Sequence, residues 1–402
     1  MKATLSTVRL DLAEPLRISR STMSAREAVW FTVEHDGAAG HGEAVTSVYY
    51  GLDAATLGRL LHAAGTGLAR FSDPESALEA LREGEPGADG ISPAVTAAVE
   101  SALFDLVGKR AGIPVHRLLG TDQAPDVATA RTIGITSATH AAAEARRLAA
   151  NGFSLIKVKA GAPDPEEDLE RVRVIRDAAP GARLLLDPNG AWTTRQADEL
   201  LPLYADLGVE AVEQPLAPGD PEALGALAER SPLPLIADED AVCLQDARRL
   251  AGRVQGVNVK LAKCGGVYAA LRIAEAIAGS GTDLMLGCLT ASTLGLAPAV
   301  HLADRARWAD LDGHLLLAHD PWTGIGGERG SVTVSGLPGL GVAPRTRSEN
   351  PSGSADAAGP ENPSGSADAA GPENPAGSAD AAGPVDPASP GEPGEVTRAD
   401  VA

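Results

Sequence analysis

A short strand followed by a helix recurs along the middle of this 402-residue chain, and this alternation constrains the fold more than any other feature. Strands that alternate with amphipathic helices form parallel sheets, because each helix carries the chain back to the starting edge of the sheet. Eight such units predict an α/β fold with a closed parallel barrel. The strand-like segments are VATARTIGI, SLIKVKAG, RLLLDPNG, EAVEQP, PLIADED, GVNVKLAKCGG, TDLMLGCLTAS and WADLDG.

Charged side chains stand at the carboxyl ends of these strands, where a barrel of this kind carries its chemistry. SLIKVKAG holds Lys157 and Lys159 one residue apart, so the period of two of a strand places both ammonium groups on one face. Only six of the 34 basic residues are Lys, and four of the six lie in SLIKVKAG and NVKLAKCGG. A desolvated Lys can lose its proton near neutral pH and Arg cannot, which is a chemical reason to keep Lys there. The other strand ends carry Asp187, Glu213, Asp238, Lys260, Asp310 and Asp312.

Three of these carboxylates predict a metal site. Asp187, Glu213 and Asp238 come from successive strands and offer only oxygen ligands, which favours Mg²⁺ over Zn²⁺. A substrate carboxylate held there could accept charge from its α-carbon as an enediolate, so a nearby neutral amine could remove the α-proton. Lysines close to each other and to the cation are expected to have lowered pKa values, because like charges repel. Each motif alone also has a structural explanation, since DPNG is first a turn and KVK can be surface alternation. Asp240 is expected to be a solvated loop residue and Lys263 a helix-start residue.

The motifs KVK, DPNG, EQP, ADED and NVKLAKCGG occur in an order that resembles the enolase superfamily, muconate-lactonizing subgroup, across most of the first 345 residues. The resemblance implies a modified (β/α)8-type TIM barrel with an N-terminal α+β capping domain and one Mg²⁺ per active site. It implies Lys159 and Lys260 as acid/base residues on opposite faces of the substrate, with Lys157 tuning Lys159. It also implies Asp187, Glu213 and Asp238 as the Mg²⁺ ligands. Two opposed lysines permit removal of a proton from one face and its return on the other, which is racemisation or epimerisation.

Asp310 and Asp312 in WADLDG form a DxD similar to that of dipeptide epimerases, where such a pair receives the α-ammonium group of the dipeptide. The expected function is therefore 1,1-proton transfer at the α-carbon of the C-terminal residue of a dipeptide, most simply L-Ala-D/L-Glu. A basic residue in the cap would pair with the distal carboxylate of Glu, and Arg20 is the candidate, with Arg26 in reserve. Tyr49 and Tyr50 are placed on a lid loop, and Thr132 is expected to contact the substrate.

Other functions stay open at this point. N-succinylamino acid racemase, o-succinylbenzoate synthase and muconate cycloisomerase use the same scaffold, but their substrates lack a free ammonium group, so the DxD argues against them. Ala291 stands where many subgroup members carry Glu, which puts one supporting contact in doubt. A catalytically silent metal-binding or scaffold protein is the rival from another class. Retention of both motif lysines in a Lys-poor chain argues against it.

The predicted organisation has four parts. Residues 1–120 form the cap, 121–318 the barrel, and 319–347 a segment returning to the cap. Residues 348–402 contain three near-identical twelve-residue copies of ENPSGSADAAGP and lack bulky apolar residues, so a disordered tail is expected.

Charge and composition restrict the partners. The formal net charge of −20 would repel the phosphates of nucleic acid and favours a small-molecule substrate. No apolar run reaches the roughly 18 residues of a membrane span. The N-terminus lacks the apolar block of a signal peptide, so a cytoplasmic protein is expected. The three cysteines are odd in number and have no close metal-ligand spacing, so a disulfide framework is not expected. The family likeness also makes a homo-oligomer possible.

Overall fold

The computed structural model describes residues 1–84 and 91–345, and the predicted tail at 348–402 lies outside the described residues. The first part is an antiparallel sheet in the order β1-β2-β3, with helices on one side. This is the predicted α+β cap. Its strands are β1 (Lys2–Ile18), β2 (Ser21–His35) and β3 (Ala38–Val45), and its helices are α1 (Ala54–Gly67), α2 (Pro74–Glu83), α3 (Pro93–Ala111) and α4 (Val115–Leu118).

Local sequence signals explain the cap helices. Asp53 and Asp73 are the N-caps of α1 and α2, and each side chain accepts a hydrogen bond from a backbone N–H three residues later, at 2.7 Å. Helix α3 is apolar on nearly all sides because it lies between the sheet and the barrel. Gly42 on β3 allows this close packing, since a Cβ there would lie 2.0 Å from the Ala98 carbonyl oxygen on α3.

The second part is an eight-stranded parallel sheet in the order β12-β11-β10-β9-β8-β7-β6-β5, which confirms the predicted barrel. The Ala130 N–H donates to the Ala309 carbonyl at 2.8 Å and joins its two ends. The strands are β5 (Arg131–Ile133), β6 (Leu155–Lys159), β7 (Arg183–Asp187), β8 (Val209–Glu213), β9 (Leu235–Ala237), β10 (Gly256–Val259), β11 (Asp283–Gly287) and β12 (Trp308–Asp310). The helices are α5 (Ala138–Ala150), α6 (Pro165–Ala178), α7 (Thr194–Asp206), α8 (Pro221–Ala228), α9 (Leu244–Leu250), α10 (Leu261–Cys264), α11 (Val267–Ile277) and α12 (Thr293–Val300).

One predicted strand is wrong in its extent. VATARTIGI forms two strands, β4 (Asp126–Ala128) and β5, and only β5 belongs to the barrel. β4 pairs instead with β14 (Ser331–Thr333) from the end of the described chain. The break lies at Thr129, whose N–H donates to the Gly330 carbonyl and whose hydroxyl accepts from the Leu311 N–H. These contacts turn the chain from one sheet to the other.

The segment after the barrel contacts the cap. β13 (Trp322–Thr323) pairs with β15 (Ala343–Pro344), and the Trp322 ring packs edge-on against Trp30 of β2 with centroids 5.5 Å apart. The Leu340 N–H donates to Asp105 on α3 at 2.9 Å. No helix among residues 1–84 and 91–345 is long and apolar enough to cross a membrane.

An apolar layer fills the barrel interior on the side away from the carboxyl ends of the strands. The polar site begins directly beyond this layer. Strand β10 contributes Gly256, which has no side chain, at the level of this layer. A Cβ at this position would lie 2.9 Å from both Ile236 and Trp308. Since strand side chains alternate, the residues two positions further along each strand face the same interior. The layer consists of Ala130, Leu155, Leu185, Ala211, Ile236, Met285 and Trp308.

Candidate active site

Lys157 lies at the centre of the polar residues that follow this apolar layer. Its Nζ is 2.6 Å from Glu213 Oε2, 2.8 Å from Asp310 Oδ2 and 3.1 Å from Asp187 Oδ2. The side chain is buried. Burial would lower the pKa of Lys157, but Asp187, Asp310 and Glu213 together raise it well above its ordinary value. Lys157 is therefore a fixed cation that links three strands.

Lys159 and Lys260 lie on opposite sides of the barrel. Lys159 Nζ contacts Asp187 Oδ2 at 2.5 Å, and Lys260 Nζ contacts Asp238 Oδ2 at 2.7 Å. Lys159 ends β6 and Lys260 follows β10, and these strands are four places apart in a sheet of eight. In a closed barrel, that spacing sets the two ammonium groups across the mouth from each other.

The pKa of Lys260 depends on its carboxylate neighbours. Burial would lower the pKa of Lys260, but the charges of Asp238 and Glu213 outweigh it and raise the pKa. The expected lowering concerns lysines beside a bound cation and stays a prediction.

Sequence reasoning missed two residues of the site. It treated Lys263 as a helix-start residue, but Lys263 is buried and its Nζ donates to Asp238 Oδ1 at 2.7 Å and to the Asn258 carbonyl at 2.7 Å. The Asn258 side chain in turn donates to Glu213 Oε1 at 2.9 Å. The signal for Lys263 was its membership of the small lysine set, while Asn258 had none beyond its inward parity on β10.

Asp187, Glu213 and Asp238 supply the donor set that a Mg²⁺ ion needs, namely buried carboxylates on adjacent strands. Among the described residues they do not form a ready-made metal cluster, because each is turned towards a lysine or an amide. Burial raises the pKa of Glu213 to about 7, with a further contribution from Asp187. Glu213 nevertheless has Lys157 and Asn258 as close neighbours, and the three buried carboxylates are hard oxygen ligands that fit Mg²⁺.

Each carboxylate of the DxD is tied to the protein by one oxygen. Asp310 Oδ2 accepts from Lys157 at 2.8 Å, and Asp312 Oδ2 accepts from the Thr132 N–H at 2.7 Å and from Arg131 at 3.3 Å. Asp310 Oδ1 is buried and has no hydrogen-bond partner among the described residues. Burial raises the pKa of Asp310, although Lys157 opposes the shift. Thr132 thus contacts the DxD through its backbone N–H, which donates to Asp312.

The cap residue Arg20 reaches the barrel but is already paired. Its Nη2 donates to Glu239 at 2.7 Å and its Nη1 to the Asn189 carbonyl at 3.1 Å, while its guanidinium lies 4.7 Å from the centre of the Tyr49 ring. The reserve candidate, Arg26, donates to the Thr46 carbonyl at 2.6 Å. Burial lowers the pKa of Arg26 to about 10.

Two further details differ from expectation. Asp240 was expected to be a solvated loop residue, but it accepts from the Gln214 side chain and the Gly219 N–H, both at 2.7 Å, and so joins two loops.

Beside Ala291, a carboxylate comes from the cap instead: Glu43 accepts from the Ser292 N–H at 2.8 Å. Burial raises the pKa of Glu43.

Comparisons with known proteins agree with this geometry. Residues 1–120 match the family model for the mandelate racemase/muconate lactonizing enzyme N-terminal domain, and residues 140–348 match the enolase C-terminal domain-like model. An L-Ala-D/L-Glu epimerase of Bacteroides thetaiotaomicron is 30% identical over 85% of this chain and 88% of its own length. A hydrophobic dipeptide epimerase of Roseobacter litoralis is 32% identical over 85% and 98%.

Among solved structures, a dipeptide epimerase from Enterococcus faecalis complexed with Mg and the dipeptide L-Leu-L-Tyr has a TM-score of 0.79 at 30% identity. The alignment covers 85% of this chain and 99% of that one.

Proposed function

Since the chain belongs to the mandelate racemase/muconate lactonizing enzyme family of the enolase superfamily, we propose that it is a Mg²⁺-dependent dipeptide epimerase. The reaction inverts the configuration at the α-carbon of the dipeptide's C-terminal residue. The observation that carries the proposal is the arrangement of Lys159 and Lys260 across the barrel mouth, with buried carboxylates between them and a DxD at the last strand.

Asp187, Glu213 and Asp238 are the proposed Mg²⁺ ligands. The bound ion supplies positive charge that stabilises the negative charge developing on the substrate carboxylate during proton removal. Lys157 contacts Asp187 and Glu213 but is buried, so it holds these carboxylates in place and does not itself reach the α-carbon.

Lys159 and Lys260 carry the proton transfers. One Nζ removes the α-proton from its face of the substrate, giving the enediolate, and the other Nζ returns a proton to the opposite face. The lysine that acts as the base must be neutral, and the other must be an ammonium group, because it supplies the proton that returns to the substrate. When Lys260 is the base, its contact with Asp238 at 2.7 Å opposes the loss of its proton and must loosen first.

The DxD supports a substrate with a free ammonium group. Asp310 Oδ1 is buried and has no partner in the part of the chain that the structure describes, so without an ammonium donor it stays unsatisfied, at a cost in stability. N-acylated amino acids and muconate carry no such donor, and the relatives described above are dipeptide epimerases. The alternative functions are therefore not favoured.

The identity of the C-terminal residue depends on Arg20. L-Ala-D/L-Glu is the first proposed substrate, with Arg20 pairing with the distal carboxylate of Glu. A second candidate is a dipeptide with an uncharged C-terminal side chain, which the Arg20–Glu239 contact at 2.7 Å favours because that contact already neutralises the guanidinium.

Proton NMR in D₂O tests the proposal. L-Ala-L-Glu, L-Ala-D-Glu and L-Ala-L-Leu are each incubated with enzyme and Mg²⁺, and the signal of the C-terminal α-proton is followed. Exchange together with appearance of the other diastereomer, abolished by chelation and restored by Mg²⁺, is the expected result. Absence of exchange with all three dipeptides would contradict it.

The proposal includes a cytoplasmic site of action, a small-molecule substrate and no nucleic-acid partner. All three cysteines, Cys243, Cys264 and Cys288, are free thiols, as is usual in a reducing compartment. A net charge of −20 disfavours nucleic acid. Self-association is also part of the proposal, and sedimentation velocity measures it directly.

A further inference from the structure

Arg131 belongs to the outer wall of the barrel, yet its guanidinium reaches the site. On β5 its neighbour Thr132 is paired with the inward Lys157, whereas Arg131 is paired with Ile156 of the outer core. The side chain bends over the strand end, where Nη1 lies 3.3 Å from Asp312 Oδ2 and Nη2 donates to the Leu315 carbonyl at 3.0 Å. Only 13% of the side chain is exposed.

Among the described residues, the hydrogen bonds to the Asp312 carboxylate go to Oδ2 and leave Oδ1 without a partner. Oδ2 is held by Arg131 and by the Thr132 N–H, both from the strand that lies next to β12 across the barrel seam. Asp310 is held in the same manner, by Lys157 on Oδ2 alone. Two neighbouring carboxylates are thus each fixed from the protein side, and each keeps its other oxygen for a donor.

We propose that Arg131 is a positioning residue for recognition of the substrate's ammonium group, acting through Asp312. The inference rests on the proposed function, because it concerns how that same site reads the N-terminus of a dipeptide. Without Arg131, a buried carboxylate beside Asp310 would have a single backbone N–H as its partner. Repulsion between the two carboxylates would then move Asp312 away from the orientation that accepts the ammonium.

A cavity on the outer side makes this role testable by chemical rescue. It has a volume of about 480 Å³ and lies between β1, β5 and α5. Arg131 and Arg147 both line it. Arg147, however, pairs with Glu144 on its own helix, at 2.8 Å from Nε and 2.5 Å from Nη2, and so provides a matched control. Removal of the Arg131 side chain would leave space that a guanidinium ion can enter from outside.

The experiment compares steady-state kinetics of the wild type, R131A, R131K and R147A with L-Ala-L-Glu and L-Ala-L-Leu, with and without guanidinium chloride at non-denaturing concentration. Loss of one charge-assisted contact corresponds to roughly a tenfold effect. We expect R131A to raise KM about tenfold, to change kcat by less than about threefold, and to regain a lower KM with guanidinium. R131K should lie between R131A and the wild type, and R147A should match the wild type.

Two results would overturn the inference. One is an unchanged KM in both R131A and R131K. The other is a fall in kcat together with a rise in KM that guanidinium does not reverse, as expected of a merely structural residue. A wild type that epimerises neither dipeptide would instead contradict the proposed function, and the inference with it. An active wild type with an unaffected R131A would contradict the inference alone.

Discussion

Lys157 Nζ lies 2.8 Å from Asp310 Oδ2, and this contact joins the two halves of the site, the lysine pair of β6 and the DxD of β12. The two residues are 153 positions apart in the chain. Because Lys157 also contacts Asp187 and Glu213, it is, within residues 1–84 and 91–345, the single cation that contacts both the proposed metal ligands and the proposed ammonium site.

Replacement of Lys157 should therefore damage stability as well as activity. Lys157→Met leaves three buried carboxylates without their shared cation, and breaking a buried pair in this manner costs about 3–5 kcal/mol. Lys159→Met is the matched control, because Asp187 would keep Lys157 and the Asn189 N–H. Urea denaturation should show a large loss of stability for Lys157→Met and a small one for Lys159→Met, with epimerisation strongly lowered in both variants. Equal stabilities would contradict the role of Lys157.

The two proposed bases should be separable by their stereochemistry. Lys159→Ala and Lys260→Ala should each lower epimerisation by about 10²–10⁴-fold, the usual contribution of an acid/base group. Each variant should still exchange the α-proton of one diastereomer in D₂O, because the remaining lysine faces one side only. Interconversion of both diastereomers by either variant at an undiminished rate would exclude the two-base mechanism.

The DxD should act on substrate binding more than on turnover. Asp310→Asn and Asp312→Asn remove charge where the ammonium binds, so KM should rise about tenfold or more, as for loss of a charge-assisted hydrogen bond. Asp283→Asn is the control and should leave KM unchanged, because Asp283 is a half-buried carboxylate at the start of β11 that pairs with Arg307. A DxD variant with normal KM would remove the ammonium assignment.

Mg²⁺ should stabilise the fold by binding to it. Ligand binding to the native state raises the midpoint of thermal unfolding in proportion to ln(1 + [L]/Kd). The wild type should show a rising midpoint as Mg²⁺ is added and a return to the initial value with chelator. Asp238→Asn should show a weaker response over the same concentrations, and an identical response would argue against Asp238 as a ligand.

Glu100 should make stability depend on pH. It lies buried on α3 and accepts hydrogen bonds from the Val267 and Tyr268 N–H groups at the start of α11. Burial raises its pKa to about 8 from an ordinary value of 4.5, so the folded state retains a proton that the unfolded chain releases. The contribution to stability is therefore full below about pH 4.5 and is lost as the pH rises through 8.

Urea denaturation at pH 5.5 and 8.5, with saturating Mg²⁺, measures this loss, which should be on the order of a few kcal/mol. Glu100→Gln should flatten the difference, whereas Glu275→Gln, on the exposed side of α11, should not. If the difference in stability between the two pH values persists in Glu100→Gln, other titratable groups cause it.

Much of this protein could be predicted because its chemistry follows the period of its strands. The parity of Lys157 and Lys159, and the spacing from Asp187 to Glu213 to Asp238, depend on local geometry that each strand repeats. The sequence alone therefore determined the barrel and the inward direction of these five residues.

Only the tertiary structure decided which of these charges meet. The burial of Lys263 under Asp238, the Arg20–Glu239 pair and the reach of Arg131 to Asp312 join residues from elements far apart in the chain. Such contacts depend on side-chain rotamers and strand order, which carry no local periodicity. The division of VATARTIGI between two sheets has the same cause, since the partner of β4 comes from the other end of the described chain.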